Sequence, residues 1–415
     1  MSSSRPPLLA LDDALQRLLA AARTLADPES VSTFDADGRV LAQDLVSELH
    51  VPPQDNSSMD GYAVASADLS RTGTVLTVTQ RIAAGTSGQP LHSGQAARIF
   101  TGAPIPPGAD AVVMQEDCQT VGEPTDGAPA LVRINAVPAP GQWIRRAGED
   151  VTRSSVVLAR GARLSPPSLG LAAGIGFDRL SVVRRPRVAL FSTGDELVMP
   201  GAVAPADMPP GAIYNSNRYF LRAMLLRLGC EVSDLGIVPD KRQATLDALR
   251  SAASQHDLIL TSGGVSVGEE DHIRPAVMAL GALDLWQIAM KPGKPFAYGH
   301  VGPCHFIGLP GNPVSSFVTF AVLVRPFLLR LQGASELAAT ASLARADFDW
   351  PRPDGRREFL RVRRNGGGGL DLFANQSSGV LTSAVWGDGL VDNPSGTAIG
   401  RGDQVRYLAF ADLLS

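Results

Sequence analysis

The feature that most constrains the fold is a regular alternation of short apolar runs and longer amphipathic stretches between residues 186 and 331. The apolar runs predict strands at 187–191, 231–238, 257–262, 284–290 and 304–308. The stretches between them predict helices at 216–228, 241–254, 271–280 and 313–331. Strands and helices that alternate in this way form a parallel sheet covered by helices, so we predict an α/β domain.

The sequence on either side of this domain has a different pattern. Residues 11–25 have the periodicity of an amphipathic helix, and short β-like runs such as 39–46 and 74–80 follow. Near the end, β-rich runs at 357–364, 369–374 and 404–410 predict a small barrel, and the glycines at 366–369 predict a hairpin loop. The predicted fold class is therefore α/β plus β, with a central parallel sheet flanked by an elongated helical and β region and a C-terminal β-barrel. The predicted domains are a discontinuous helical and linker domain (1–50 and 151–185), a β domain (51–150), the α/β domain (186–335) and the C-terminal barrel (336–415).

Charge and cysteine content exclude several classes of protein. A net charge of -4 gives no general attraction to nucleic acid, so any bound anion must be held by a local group of donors. Three widely spaced cysteines indicate neither a disulfide framework nor a zinc site and fit a reducing cytoplasm. No apolar run reaches the roughly 20 residues of a membrane helix, so no membrane is expected as a partner.

Polar loops follow the predicted strands of the α/β domain, at the edge of the sheet where such folds bind ligands. Each loop combines small residues with a polar or charged group. The loops are STGDE (192–196), Pro239-Asp240, SGGVSVGEED (262–271), KPGKP (291–295) and GLPGNPVSS (308–316).

Two of these loops have the composition of anion sites. Gly263 and Gly264 allow the backbone to approach a phosphate closely, although a simple tight turn would need the same glycines. Lys291 and Lys294 flank a Pro-Gly pair that holds two ammonium groups near each other. The alternative for this second loop is a solvated basic turn.

Carboxylates on three loops of the same edge suggest a hard cation beside the phosphate. Glu196, Asp240 and Asp271 have the ligand chemistry of Mg²⁺ or another divalent cation, and Asp271 could equally be a helix N-cap. In the β domain, Asp60 lies in the loop NSSMDGYAV, and RRAGED at 145–150 is either functional or a surface ion-pair cluster.

Together these loops resemble the molybdopterin molybdenumtransferase family, the MoeA type that includes the gephyrin E domain. The resemblance covers about residues 50–330, in order and at the family's spacing. It rests on NSSMDGYAV, FTGAPIPPGADAVV, RRAGEDV, LFSTGDELV, IYNSNRY, TSGGVSVGEED, KPGKPFAYG and GLPGNPVSS.

The resemblance implies an elongated homodimer whose active site lies between the α/β domain of one subunit and the β domain of the other. The catalytic positions it implies are Asp60, Thr101, Asp150, Glu196, Asp240 and Asp271, with Asp240 and Asp271 as metal ligands and Arg145 as a partner-subunit contact. The positions implied for pterin and phosphate are Thr193, Gly194, Asn215, Asn217, Ser262, Gly263, Gly264, Ser266, Pro310, Gly311 and Asn312. Those implied for molybdate are Lys291, Lys294, Ser315, Arg361 and Ser378. Ser377 is the alternative to Ser378 for the last of these positions.

The implied reaction inserts molybdenum from molybdate into adenylylated molybdopterin and releases AMP, with Mg²⁺ or another divalent cation. The family also implies the adenylyltransferase and downstream cofactor-maturation proteins as partners. Two alternatives remain at this point: adenylyl transfer from ATP to molybdopterin, and a scaffold role without catalysis. Tungstate in place of molybdate is open, as is the choice between Asp60 and Asp150 for orienting a water molecule.

Overall fold

The computed structural model describes residues 8–122, 130–264 and 272–414. The elements up to residue 183 are α1 (Leu11–Ala21), β1 (Pro28–Ser32), β2 (Leu45–Val46), β3 (Asn56–Ser57), β4 (Gly61–Val64), β5 (Thr74–Ile82), β6 (Gln95–Ile99), β7 (Ala111–Met114), β8 (Cys118–Val121), β9 (Ala130–Ile134), β10 (Ile144–Arg145), β11 (Val156–Leu158), α2 (Pro166–Gly174) and β12 (Arg179–Val183).

The middle of the chain contains β13 (Arg187–Thr193), β14 (Leu197–Val198), β15 (Ile213–Tyr214), α3 (Asn217–Arg227), β16 (Glu231–Val238), α4 (Arg242–Ala253), β17 (Leu258–Ser262), α5 (Ile273–Leu280), β18 (Gly281–Gln287), β19 (Met290–Lys291), β20 (Pro295–Val301), β21 (Cys304–Leu309), α6 (Pro313–Thr319) and α7 (Arg325–Leu331). The last part contains β22 (Ala341–Ala346), β23 (Arg357–Arg364), β24 (Gly369–Leu372), α8 (Thr382–Trp386), β25 (Gly389–Asn393), β26 (Gln404–Ala409) and α9 (Phe410–Leu413).

The central sheet has the strand order β16-β13-β17-β21-β20-β18. The first four strands are parallel, which confirms the main part of the predicted sheet. β20 was not predicted as a strand, and it is antiparallel to both β21 and β18. Because two reversals restore direction, the carboxyl end of β18 still lies at the same edge as the ends of β13, β17 and β21. The predicted strand 284–290 divides into β18 and β19, and β19 pairs with β23 instead.

A continuous helix from Pro313 to Leu331, with a π-helical turn at Phe320–Val324 between α6 and α7, forms the core on one face of this sheet. Among the described helices, this one has the length and the apolar composition needed to cross a membrane. However, 89% of its apolar window is buried inside the protein, among side chains such as Leu18, Leu221 and Leu260. The helix therefore packs as a core element.

The C-terminal strands close into a barrel, as predicted. β23 pairs with β24, β24 with β22, β22 with β26, β26 with β25, and β25 again with β23. The predicted runs 369–374 and 404–410 appear as the slightly shorter β24 and β26. The predicted glycine loop connects β23 to β24, and Gly368 adopts a φ of 77°, which glycine accommodates without strain.

The chain divides into two compact units: residues 44–159 with 166–178 form one unit, and residues 1–43, 160–165 and 179–415 form the other. The first is built on a sheet of order β7-β4-β6-β5-β9-β8, in agreement with the predicted β texture. The predicted strand 39–46 is wrong in extent, since only β2 forms there, with isolated bridges at Val40 and Leu41. The division of the sequence into four domains stays a prediction.

Candidate active site

One side chain joins two strand ends of the central sheet to the start of a helix. Asn217 begins α3, and its Nδ2 donates hydrogen bonds to Ser262 Oγ at 2.8 Å and to the carbonyl oxygen of Gly311 at 2.7 Å. Asn217 and Ser262 are buried. The ends of β17 and β21 are thus connected to the start of α3, which brings together three of the residues predicted for pterin and phosphate.

The glycine pair after β17 packs against the end of β13. Gly263 and Gly264 have φ values of 91° and 69°. A Cβ atom on Gly263 would lie 2.9 Å from the carbonyl oxygen of Thr193, and one on Gly264 would lie 2.5 Å from Ile273 Cγ1 and 3.0 Å from Thr193 Oγ1. Glycine is therefore required here by close approach as well as by conformation. Thr193 adjoins both glycines, as predicted.

Several buried polar atoms at this edge have no hydrogen-bond partner among the described residues. They are the Nδ2 atom of Asn215 and the hydroxyl oxygens of Ser192 and Thr261. Buried polar groups are nearly always satisfied, because leaving one unpaired costs about 1–3 kcal/mol. Such atoms beside a polar loop are available to hydrogen-bond a ligand.

Of the three carboxylates predicted at this edge, Glu196 and Asp240 lie among the described residues. Glu196 is exposed beside Gly194, whose Cβ position would lie 2.5 Å from Glu196 Oε2, and Asp240 follows β16 in a half-buried position. Asp271 and Ser266 lie outside the described residues, which contain no cluster of three potential metal ligands. A Mg²⁺ ion shared with substrate phosphates needs only one or two protein carboxylates. Asp240 and Glu196, in the loops that follow the neighbouring strands β16 and β13, are the predicted carboxylates that lie among the described residues.

The second group of polar residues lies where the start of α6 meets the barrel. The N–H of Val314 donates to the carbonyl oxygen of Ser378 at 2.9 Å, and Ser315 follows in a buried position. The loop from β21 to α6 carries buried Pro310 and exposed Asn312, whose side chain makes no cap hydrogen bond. Helix N-termini favour anions, because their first N–H groups lack partners within the helix.

Arg361 is the buried cation of this group. Its guanidinium donates to the carbonyl oxygens of Phe359 and Ser377 at 3.0 and 3.3 Å and to Ser383 Oγ at 3.1 Å. The residue is 1% exposed, and burial lowers the pKa of the guanidinium to about 10. No carboxylate of the described residues pairs with it. A buried cation that contacts only neutral groups provides a strong reason to bind an anion.

Gln376 supports the loop beside Arg361, and the sequence reasoning did not single it out. Its Oε1 accepts the backbone N–H of Arg361 at 2.9 Å, and its Nε2 donates to the carbonyl oxygens of Arg361 and Phe373 at 3.0 and 2.9 Å. The side chain thus fixes the loop that carries Ser377 and Ser378 against the strand that carries Arg361. The signal that could have identified it is the run NQSSGVLTS at 375–383, which resembles a glutamine-serine-glycine loop of the family.

The two lysines of the KPGKP loop have different surroundings. Lys291 Nζ lies 3.2 Å from Glu358 Oε1 and 3.4 Å from Asp354 Oδ2, both in the barrel domain. Lys294 is half-buried and makes no ion pair within the described residues. The two lysines lie in the same loop, but their ammonium groups differ in charge environment. Lys291 already contacts two carboxylates, whereas Lys294 does not.

In the other unit, Asp60 and Thr101 form a hydrogen-bonded pair. Asp60 Oδ1 accepts both the backbone N–H and the hydroxyl of Thr101, each at 2.8 Å. These bonds to the charged form lower the pKa of Asp60, and Arg98 adds a smaller effect in the same direction. Asp60 is exposed and ionised at neutral pH, so it can accept a hydrogen bond from a ligand or a water molecule.

Arg145 and Asp150 lie five residues apart in the same unit, Arg145 in a strand and Asp150 in the loop that follows it. Arg145 belongs to β10, which pairs with β3, and the N–H of Asp150 donates to the carbonyl oxygen of Val51 at 2.9 Å. Both side chains are exposed, and within the described residues no hydrogen bond or ion pair joins them to Asp60. The ion-pair alternative for RRAGED applies to Arg146, which pairs with Asp55 at 2.6 Å.

Three family models match successive parts of the chain. One described as the MoeA N-terminal region (domain I and II) matches residues 9–176. One described as a probable molybdopterin binding domain matches residues 189–330, and one described as the MoeA C-terminal region (domain IV) matches residues 343–410. The second match contains the sheet-edge loops, and the third contains Arg361 and Ser378.

The chain is also similar over most of its length to named proteins. A molybdopterin molybdenumtransferase from Haemophilus influenzae is 41% identical over 355 residues, which are 85% of this chain and 85% of that protein. Molybdopterin molybdenumtransferase 2 from Mycobacterium tuberculosis is 35% identical and covers 91% of this chain and 94% of its own. The crystal structure of the molybdopterin biosynthesis MoeA protein from Pyrococcus horikoshii OT3 superposes with a TM-score of 0.83, at 28% identity, covering 97% of this chain and 100% of that one.

Proposed function

The chain belongs to the molybdopterin molybdenumtransferase family, and from that premise we propose the substrate and course of its reaction. It is a transferase of molybdenum cofactor biosynthesis that inserts molybdenum into molybdopterin. Molybdate is its second substrate, as the activity requires. The proposal concerns the adenylylated form of the pterin, the residues that bind each substrate and the release of AMP.

We propose that the adenylylated dithiolene binds at the edge of the central sheet. Thr193, Asn217, Ser262 and the two glycines at 263–264 would surround its phosphates, with Asn215 available as a further donor. The support is that these residues adjoin one another and that Asn215 Nδ2 is buried without a partner among the described residues. Glycine backbone and hydroxyl donors are groups that suit a phosphate.

We place molybdate next to it, at the molybdate positions that the resemblance implies, which are Lys291, Lys294, Ser315, Arg361 and Ser378. Molybdate is a tetrahedral dianion, and Arg361 is a buried cation with only neutral partners. The observation that carries the proposal is the continuous connection between the two groups of residues. Asn217 bonds to Gly311 on the loop that leads into α6, and the start of α6 bonds to the loop that carries Ser378.

In this reaction the dithiolene sulfurs replace oxygens on molybdenum, and the displaced oxygens leave as water. A water molecule attacks the phosphoanhydride, which is cleaved to AMP and the phosphate of the pterin. The chain's own residues act mainly by positioning the two substrates and neutralising their charge. Asp60, held by Thr101, or Asp150 would orient the attacking water. Asp240, with Asp271, would hold Mg²⁺, which when bound neutralises phosphate charge.

We further propose that Asp60, Thr101, Arg145 and Asp150 act on the α/β site of a second copy of the chain, as the family resemblance implies. The support within this chain is that Asp60 is exposed and ionised in its own unit. A cytoplasmic location is proposed because the described cysteines are free thiols, which is usual in a reducing compartment.

The test is a reconstituted reaction with purified protein, adenylylated molybdopterin and Mg²⁺. AMP is measured by chromatography, and protein- or pterin-bound molybdenum by mass spectrometry, with and without molybdate. We expect AMP and inserted molybdenum to appear in equal amounts and only when molybdate is present. The proposal fails if AMP release ignores molybdate and no metal is inserted. Turnover of ATP with plain molybdopterin would instead favour adenylyl transfer.

A further inference from the structure

Lys291 is held by two carboxylates of the barrel domain, which is unexpected for a lysine predicted to bind an anion. The backbone of Lys291 pairs with that of Glu358, because β19 runs parallel to the start of β23. Its ammonium lies 3.2 Å from Glu358 Oε1 and 3.4 Å from Asp354 Oδ2. We refer to Lys291, Glu358, Asp354 and Arg356 as the Lys291 cluster.

Glu358 depends on this lysine. Its side chain is 1% exposed, and its Oε2 accepts the indole N–H of Trp350 at 2.8 Å and a longer bond of 3.5 Å from Asn393. Both of these donors are neutral. Among the described residues, Lys291 is the cation in ion-pair contact with Glu358, and a buried carboxylate is strongly destabilising without such a partner.

Asp354 has a cation of its own. Arg356 donates to both of its carboxylate oxygens at 2.8 Å, and this lowers the pKa of Asp354 well below its usual range, with a smaller contribution from Lys291 in the same direction and an opposing one from desolvation. The Lys291 cluster therefore contains two cations and two anions. Its net charge is zero, so Lys291 adds no uncompensated positive charge to the anion site, in contrast to Arg361.

The number of donors on Lys291 completes the argument. An ammonium group has three N–H donors. Two of them face Glu358 and Asp354, which leaves one for a substrate oxygen and fixes its direction. A free lysine on a flexible four-carbon stem would have no such fixed direction.

We propose that Glu358, assisted by Asp354, is a positioning residue that presents one N–H of Lys291 to molybdate while cancelling the charge of the lysine. This inference rests on the proposed binding of molybdate beside Lys291. It gives Glu358 two effects of opposite sign. Its negative charge weakens binding of the dianion, and its hold on the ammonium raises the rate of the bound complex.

The substitution Glu358→Gln separates these effects, because glutamine keeps the size and an acceptor for Trp350 but removes the charge. We expect the KM for molybdate to fall about three- to tenfold, since a negative charge near the dianion is lost. We expect kcat for AMP release to fall about tenfold, since the ammonium is no longer fixed. A purely structural role would lower the unfolding temperature without lowering KM.

Two further variants control the experiment. Asp392→Asn removes another buried carboxylate of the same barrel, which pairs with Arg357 and Arg406 and does not contact Lys291. We expect it to lose stability while KM stays the same. Asp354→Asn removes the less buried member of the Lys291 cluster and should lower KM in the same direction as Glu358→Gln, so the test survives if Glu358→Gln does not fold.

A double-mutant cycle shows whether Glu358 acts through Lys291. In a Lys291→Met background, Glu358→Gln should change the KM for molybdate less than twofold. The inference is overturned if the wild type is active and Glu358→Gln or Asp354→Asn leaves KM unchanged or raises it. It is also overturned if the fall in KM persists undiminished without Lys291. Failure of the proposed function is distinguishable, because the wild type itself would then insert no molybdenum.

Discussion

Gly293, between the two lysines of the KPGKP loop, should tolerate no side chain at all. Its φ is 111°, and a Cβ atom would lie 2.3 Å from Thr319 Oγ1 in α6 and 3.2 Å from Met290 Cε. Thr319 is fully buried in the core helix, so its side chain has little room to move away. In Gly293→Ala the loop must therefore move, and it carries Lys291 and Lys294 with it.

The size of the effect follows from these distances. Since Cβ contacts below 3.0 Å essentially do not occur, a 2.3 Å contact requires a shift of about 0.7 Å. Overpacking of this kind costs about 1–3 kcal/mol, and positive φ adds roughly 1–2 kcal/mol for alanine. We expect Gly293→Ala to destabilise the protein by about 2–5 kcal/mol. A displacement near 1 Å in a catalytic loop can lower the rate about 100-fold.

The assay is denaturant unfolding together with the rate of AMP release. Gly302→Ala is the matched control, because Gly302 also has a positive φ of 57° but nothing lies within 4 Å of its Cβ position. The free energy of unfolding of this control variant should fall by about 1 kcal/mol, and its activity should stay the same. Adding Thr319→Ala to Gly293→Ala removes Oγ1 and should restore part of the stability. Equal losses for Gly293→Ala and Gly302→Ala, or no relief from Thr319→Ala, would refute the reasoning.

Three further predictions concern separate parts of the molecule. Arg361→Met should raise the KM for molybdate at least about tenfold, because the cation that would bind the dianion is lost. The unfolding temperature should not fall, since a buried cation with neutral partners is replaced by an apolar side chain of similar size. A lower KM would contradict this prediction. Burial lowers the pKa of His305 to about 4, below the value near 6.5 of an unfolded chain, so its contribution to stability is full above pH 6.5 and is lost as the pH falls toward 4. Between pH 7.5 and pH 5, the free energy of unfolding should fall by up to about 2 kcal/mol more in the wild type than in His305→Gln. Equal falls in the two proteins would exclude this role of His305. Finally, an equal mixture of Asp60→Asn and Lys294→Gln subunits should regain about a quarter of the wild-type rate if the two residues act across a dimer, since half the dimers are mixed and each has one intact site; no recovery would indicate action within one chain.

The elements that the sequence predicted well are those with strong local patterns. The strands 231–238 and 357–364 were predicted with the bounds that the structure has, because their apolar and β-rich runs are bounded by turn residues. The end of α3 was predicted from Gly229, which has a φ of 76°. Glycine-rich loops were placed at the sheet edge because parallel strands end there together.

β20 was missed because it is recognisable from its pairing with neighbouring strands and not from a local sequence pattern. The run Pro295–Val301 follows the KPGKP loop and contains Gly299, which weakens a strand prediction. In the structure, a Cβ atom on Gly299 would lie 2.2 Å from the carbonyl oxygen of Ala282 on the neighbouring strand β18. The glycine that obscured the strand is thus required by the close approach of β18, which only the folded sheet reveals.

The electrostatics of the candidate site could not be predicted for a similar reason. The contact between Lys291 and Glu358 joins residues 67 positions apart in the chain. Arg361 was assigned to the anion site by resemblance, but its lack of a carboxylate partner depends on Ser377, Phe359 and Ser383 surrounding it. Residue types and spacing identified the candidate donors, while tertiary packing determined which of them keep an uncompensated charge.

The most direct measurement of the central claim is the position of molybdate in crystals of the protein soaked with the anion, located by the anomalous scattering of molybdenum. We predict one strong peak within hydrogen-bond distance of the Arg361 guanidinium, with Lys294 and Ser378 as further contacts. Tungstate soaks should give a peak at the same place, because the two anions have nearly the same size and charge. A peak that lies away from Arg361 would contradict the account, as would crystals in which this position stays empty while molybdenum insertion proceeds in solution.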